Sequence, residues 1–341
     1  MNVSTIVHMS EHACTNPLVT LAITTLNRPD YIRETLSATM AQGYPNLDIL
    51  VSDNGSSNET SVLVKALIKN DPRARFRRNE TTVPIHEHFT QCVQEARGEY
   101  FIILNDDDLI NSDFVAELVG VAQRHPDVNV VVPRNATMDK HGAVVREFAT
   151  PEGEVFDGPE FVCNWLYGRP PQLFINVTTV LARTNVIREF GGYRGLAHGH
   201  NIDNLLFLQC AITGPVGFAK GAVFHWRDHS TSLGNSAAAK QIVNSTRQFV
   251  RQLHCDPSTV KALDALPMAR RKQILTGLRV MTDRELVMHM KWYDKSFRWK
   301  CGRVLSLCRS DAEFFFVVVR MGYRKLKQFF HPARYSTEKK S

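Results

Sequence analysis

Three short apolar runs constrain this chain most: Val19 to Thr24 (VTLAIT), Leu47 to Ser52 (LDILVS) and Tyr100 to Leu104 (YFIIL). Each is the length of a buried strand and too short for a globular helix. Each ends in a polar loop: Thr25-Leu26-Asn27-Arg28-Pro29, Asp53-Asn54-Gly55-Ser56-Ser57 and Asn105-Asp106-Asp107-Asp108. A helical pattern follows each loop. The first runs from Tyr31 to Gln42, with Asp30 as its cap and Gly43 as its stop, the second from Glu59 to Lys69, and the third from Ser112-Asp113 to Arg124. Arg75 to Arg78 reads as a short strand and Pro84 to Ala96 as a helix. Strand and helix in this alternation predict a doubly wound α/β domain, whose ligands sit outside the carboxyl ends of its strands.

Downstream, Val128 to Pro133 and Ile175 to Ala182 read as strands, and Val216 to Val223 and Phe224 to Arg227 as two shorter ones. Pro159 to Tyr167, Asn185 to Phe190 and Ile202 to Ile212 read as helical. From Ser236 the pattern is helical throughout: Ala237 to Leu253, Ser258 to Leu266, Met268 to Trp292 or beyond, and Ser310 to Phe329. The charge changes at the same place. The chain carries a net +7, yet from Lys240 onward there are 22 Lys and Arg against 8 Asp and Glu, leaving 19 against 26 before it. The expected division is a catalytic domain over residues 15–235 and a basic, aromatic-rich helical region over 236–341. In the latter, FFFVVVRMGYRKLKQFF has the composition of a helix lying at a membrane surface, and equally of a helix with aromatic residues in a core and cations in water. The best apolar run, Phe314 to Val319, stops at Arg320 and falls short of a membrane span. The opening residues lack the pattern of a secretory signal, and the seven cysteines are odd in number with no C-x-x-C pair. Both features predict a reducing, cytoplasmic setting.

Chemistry concentrates at the strand ends. Adjacent carboxylates at Asp106, Asp107 and Asp108 raise one another's pKa, and a divalent cation removes that penalty with positive charge left over for a diphosphate. The same residues also read as an acidic turn before a helix. Asp53 can accept a hydrogen bond from a base N–H or a ribose hydroxyl, although Asp53-Asn54-Gly55 is equally ordinary turn chemistry.

Four islands occur in a telling order: TTLNR, the SDNGS loop, LNDDD, and a distal D-N-L followed by H-x-x-S in WRDHSTS. Together, over roughly residues 18–235, they resemble the family 2 glycosyltransferases. That resemblance implies a GT-A type fold: a doubly wound mixed sheet with, here, a C-terminal helical region. It implies an enzyme that moves a sugar, with inversion, from a nucleoside diphosphate sugar, UDP-linked here, to a saccharide or lipid-linked acceptor in surface glycan synthesis. The cofactor would be Mg²⁺ or Mn²⁺. Carried onto this sequence, Thr25, Asn27, Arg28, Asp53, Asn54, Asn105 and Asp106 would hold the nucleotide sugar. Asn105 stands where the family's first Asp would be. Asp107, with Asp108 and His229, would hold the metal, and Asp203 would be the general base, with Ile202 where an acidic partner is common. His198 and His200 would line the acceptor pocket. The basic C-terminal region would place the protein peripherally on the inner membrane face.

Two other readings fit parts of the chain. A nucleotidyltransferase also pairs an α/β domain with carboxylates, but the sequence has no Gly-rich loop to cradle a triphosphate. A nucleic-acid-binding protein would use the basic C-terminal region, against which stand the acidic first part and the lack of a recognition motif; no nucleic-acid partner is expected.

Overall fold

The structure is a computed structural model that describes residues 16–167, 178–194, 196, 199–229 and 239–289. Its first part is β1 (Val19–Thr25), α1 (Pro29–Met40), β2 (Leu47–Asp53), α2 (Asn58–Ile68), β3 (Ala74–Arg78), α3 (Ile85–Glu95) and β4 (Tyr100–Asn105). Then come β5 (Leu109–Ile110), α4 (Phe114–Arg124), β6 (Val130–Met138), β7 (Val144–Glu147), β8 (Val155–Phe156) and α5 (Gly158–Tyr167). They are followed by β9 (Leu181–Arg183), α6 (Thr184–Glu189), α7 (Ile202–Ile212) and β10 (Val216–Arg227). Three helices close the described chain: α8 (Ala239–Cys255), α9 (Pro257–Asp264) and α10 (Met268–His289).

Among the described residues the strands form one mixed sheet in the order β3-β2-β1-β4-β9-β6-β10-β5, with β7 on β6 and β8 on β10. β1, β2 and β3 are parallel to one another, and β4 is parallel to β1. Every residue of β1 and β2 is buried, as expected of parallel strands covered on both faces. Alternation divides them between two cores. Leu21, Ile23, Ile49, Val51, Ile102 and Leu104 face one layer, with Ile32, Leu36, Val64, Phe114 and Leu118 from α1, α2 and α4. Ala22, Leu50, Phe101 and Ile103 face the other, with Phe89, Phe161, Ile187 and Leu205 from α3, α5, α6 and α7.

Register delivers the loops to one place. Thr25 pairs with Asp53 across β1 and β2, and Thr24 with Asn105 across β1 and β4, so all three polar loops leave the same edge of the sheet. β9 runs antiparallel between β4 and β6 and pairs with Tyr100 and Phe101 at the start of β4, the end away from the acidic turn.

The closing helices share the second core. Phe249 and Leu253 of α8, Leu263 of α9, and Ile274, Leu278 and Met281 of α10 are buried in the same cluster as Phe161 and Phe207. Gly277 lets α10 approach α5: a Cβ there would lie 3.0 Å from Leu166 and Tyr167 side-chain atoms. The Gln209 amide donates to Thr259 Oγ1 at 2.8 Å, tying α7 to α9.

Some elements differ from the sequence reading. α1 starts at Pro29 with Arg28 in the capping position, and Asp30 lies in the first turn; proline suits that first helical position because its missing N–H has no partner there anyway. The strand expected from Ile175 starts, in its described part, at Leu181, because Thr178 is drawn off to bond Asp203 and only Leu181–Arg183 pair with neighbours. The two short strands at 216–227 are one, β10, with an irregularity between Ala219 and Val223. β5, β7 and β8 are too short, or in β7 too exposed, to leave an apolar pattern. The helix expected at 310–329 lies outside the described residues.

If the closing helices are integral to the fold, Phe249→Ala destabilises the whole protein by about 3–5 kcal/mol, the usual cost of emptying a buried aromatic site. Urea unfolding followed by tryptophan fluorescence and by circular dichroism should show one transition shifted by that amount. An unchanged main transition would contradict the shared core.

Candidate active site

The acidic turn sits at the end of β4, and each of its carboxylates has a different set of partners. Asp106 turns toward β1: it accepts from Thr25 Oγ1 at 2.7 Å, from the Leu26 amide at 3.4 Å and from Arg28 Nη1 at 3.3 Å. Asp107 Oδ2 takes the same Arg28 Nη1, and His229 Nε2 lies 3.0 Å from it. Asp108 turns inward: Oδ1 accepts from the Arg227 amide at 3.0 Å and Oδ2 from Asn105 Nδ2 at 3.4 Å. All three are buried. Burial, and then the charge of Asp107, pushes Asp106 up to about 7 and Asp108 well above the ordinary carboxylate range.

Two residues that sequence reasoning did not single out hold this turn. The Thr35 hydroxyl, on α1, lies 2.7 Å from the Asp106 carbonyl oxygen and 2.9 Å from that of Asp108. Arg227, at the end of β10, is only 1% exposed. Its Nε donates to the Asp107 carbonyl at 2.8 Å, Nη1 to the Lys140 carbonyl at 3.2 Å and Nη2 to Glu34 Oε2 at 2.6 Å. The guanidinium also lies over the Tyr31 ring at 5.1 Å, and Tyr31 in turn lies 5.1 Å from the His229 ring. Arg227 therefore fixes both the turn and the route to His229. Its position two residues before His229, at the end of an apolar strand, was the available signal; Thr35 was marked by being a polar residue on the apolar face of α1.

The loops after β1 and β2 form a single braced unit. Asn27 takes the left-handed conformation (φ 53°), its amide donates to Ser56 Oγ at 2.9 Å, and its Oδ1 accepts from the Ser57 amide at 2.8 Å. Asn27 itself is exposed and Arg28 half-buried. Asp53 and Asn54 are different. Asp53 is fully buried, with Oδ1 on the Ser56 amide and Oδ2 on Ser61 Oγ. Asn54 bonds Val83 and Asn79 through both ends of its amide. In this conformation both brace the loop, and neither offers an exposed polar atom of the kind a nucleotide contact needs. Asn105 likewise braces Asp108.

Asp203 lies in the first turn of α7. Its Oδ2 accepts from Thr178 Oγ1 at 2.6 Å, while Oδ1 is buried and has no hydrogen-bond partner among the described residues. Burial pushes its pKa to about 6, against the opposing pull of Thr178 and His200. Asn201, with φ 70°, precedes the helix and donates to Thr246 Oγ1 of α8 at 3.3 Å. Gly199 touches Ile85 at the start of α3, so the start of α7 stands at the same sheet edge as the polar loops. His198 lies outside the described residues.

The acidic side chains point in different directions. Among the described residues no three His, Cys, Asp or Glu side chains converge as a metal-binding group. Of the expected set of Asp107, Asp108 and His229, Asp108 is bonded to the Arg227 amide and to Asn105 in this structure. Asp107 and His229 remain as a facing pair, an oxygen and an imidazole nitrogen, suited to a divalent cation whose other positions come from ligand oxygens.

Comparison with known proteins places this geometry. S. aureus TarS (residues 1–349) superposes with a TM-score of 0.62 at 14% identity, over 87% of this chain and 80% of that one. The mannosyltransferase PcManGT from Pyrobaculum calidifontis, solved with GDP-Man and Mn²⁺, superposes with a TM-score of 0.56 at 14% identity, over 95% and 85%. The fold is that of the GT-A glycosyltransferases. Residues 20–162 match the family described as Glycosyl transferase family 2. Among curated relatives, the GalNAc(5)-diNAcBac-PP-undecaprenol beta-1,3-glucosyltransferase of Campylobacter jejuni is 26% identical over 134 residues, 39% of this chain and 42% of that protein. An uncharacterized protein of Sinorhizobium fredii, y4gI, is 22% identical over 253 residues, 72% of this chain and 26% of that protein. The chain thus spans less than half the length of these relatives.

Removing the Arg227 side chain leaves the Glu34 carboxylate and the Asp107 and Lys140 carbonyls without their donor. Arg227→Met should cost about 1–3 kcal/mol in urea unfolding, the usual cost of leaving a buried acceptor, here the Asp107 carbonyl, without its donor. A loss below about 1 kcal/mol, the range of exposed pairs, would show that it does not clamp the turn.

Proposed function

We propose that this protein transfers a sugar, with inversion, from a nucleoside diphosphate sugar, UDP-linked, to a saccharide or lipid-linked acceptor in the synthesis of a surface glycan. The observation that carries this reading is the pairing of Asp107 Oδ2 with His229 Nε2 beneath Arg28, at the edge where Asp203 presents an unpartnered oxygen. TarS has been solved with UDP-GlcNAc, which supports a uridine donor. PcManGT with GDP-Man makes the guanosine counterpart the comparison to test.

In this mechanism Asn27 and Arg28 meet the donor, and Arg28 bears on its diphosphate. Asp107 and His229 would hold Mg²⁺ or Mn²⁺, which when bound offsets charge growing on the departing diphosphate. Asp203 Oδ1 takes the proton of the acceptor hydroxyl as that oxygen attacks the anomeric carbon. The bond from that carbon to the diphosphate breaks, and its electron pair leaves on the nucleoside diphosphate. Thr178 holds the other carboxylate oxygen, and burial sets the base near the pH at which it works.

Residues 15–235 carry these parts, and the region from 236 on contributes the helices that back α7. Among the described residues no helix is long and apolar enough to cross a membrane. The basic residues from Lys240 onward would instead hold the protein against an anionic surface, each near cation contributing about 1 kcal/mol. Flotation with anionic vesicles should recover the protein at low salt and release it at high salt; equal recovery with neutral vesicles would contradict this.

Asp203→Asn should leave donor binding unchanged and lower kcat by about 10²–10⁴, the range of general-base contributions. Asp107→Asn should weaken metal-dependent donor binding. Because Asp203 must be ionised to act and its pKa is raised to about 6, kcat/KM should climb with pH and reach half its plateau near there. Transfer measured over UDP- and GDP-sugars with Mn²⁺ or Mg²⁺ tests all of this; normal turnover in both variants would reject the roles.

A further inference from the structure

Asp107 Oδ2, the oxygen offered to a metal, already has two partners. Arg28 Nη1 donates to it and also reaches Asp106 Oδ1 at 3.3 Å, while His229 Nε2 lies 3.0 Å away. A carboxylate oxygen presents two lone-pair directions, so these two groups fill it. A cation taken between Asp107 Oδ2 and His229 Nε2 replaces the imidazole's contact with that oxygen and lies against the Arg28 guanidinium, which still holds the other direction. His229 is 8% exposed and held beside Tyr31, whereas the Arg28 side chain is 26% exposed and springs from an exposed loop. Arg28 is the partner with somewhere to go. A guanidinium and a dication also repel at this range, and the planar guanidinium matches a diphosphate at least as well as it matches two carboxylates.

We propose that Arg28 is a resident counterion on Asp107 which a donor diphosphate draws away, so that nucleotide and divalent cation bind cooperatively, the nucleotide removing that charge from beside the cation. The proposal rests on the reading of Asp107 as the metal anchor and adds an order of events to it. It also divides the work of the loop: Thr25 and the Leu26 amide stay on Asp106 and keep the turn in place, while Arg28 exchanges partners. Linkage makes the effect reciprocal, so Mn²⁺ must tighten nucleotide binding by the factor by which nucleotide tightens Mn²⁺.

The test is Mn²⁺ binding to the full chain, followed by the electron paramagnetic resonance signal of free Mn²⁺, with and without UDP. Wild type should bind Mn²⁺ alone about tenfold or more weakly than with UDP, within the usual range of coupling between sites. Arg28→Gln should bind Mn²⁺ alone about tenfold more tightly than wild type and lose most of the enhancement by UDP. Arg28→Ala, checked for folding by circular dichroism, should do the same. Mn²⁺ affinity in either variant equal to or below that of wild type overturns the proposal. Asp107→Asn separates the two levels. If it abolishes Mn²⁺ binding while the Arg28 variants gain nothing, only the counterion role fails. If it leaves Mn²⁺ binding intact, the metal anchor itself is misplaced and the proposal falls with it.

Discussion

Three consecutive carboxylates, buried at the end of a buried strand, repel one another and lose hydration together. The fold answers by giving each a different partner. Asp106 is held by β1 and its loop, Asp108 by the Arg227 amide and Asn105, and Asp107 by Arg28 and His229. The Arg227 side chain then ties the backbone of the turn to α1 through Glu34 and to the segment after β6 through Lys140. Elements distant in the sequence are thereby committed to one arrangement. Without that commitment Asp107 would have no defined direction, and direction separates a ligand from an ordinary acidic turn.

The sheet supplies the rest of the precision. Parallel pairing of β1 with β2 and β4 brings three loops to one edge in fixed register, and Asn27 and Ser56 lock two of them together. The helix α7, which carries Asp203, is backed by α8 and α9 through Thr246 and Thr259. The closing helices thus help to position the helix that carries Asp203. A buried carboxylate with one oxygen bonded and the other unpartnered is costly to maintain, and such cost is typical of groups kept for proton transfer.

Much of this was legible in the sequence because it was written in short-range patterns. The strands β1, β2 and β4, the helices on either face and the position of the acidic turn all follow from apolar period and loop composition. What could not be read was direction. LNDDD does not reveal that Asp107 faces His229 while Asp108 faces Arg227, because that depends on β10, more than a hundred residues away. Asp53 and Asn54 look like binding residues and like turn residues alike, and the bracing bonds they make could not be read from the sequence. Thr35 and Arg227 escaped notice for the opposite reason: each sits in an apolar segment, where a polar side chain has meaning only once its partner is known.

The most direct measurement is anomalous diffraction at the manganese edge from crystals grown with Mn²⁺ and UDP. The arrangement described here places a single strong peak between Asp107 Oδ2 and His229 Nε2, with Arg28 moved onto the diphosphate. A peak coordinated by Asp108 or Asp53, or nucleotide bound with Arg28 still on Asp107, would contradict it.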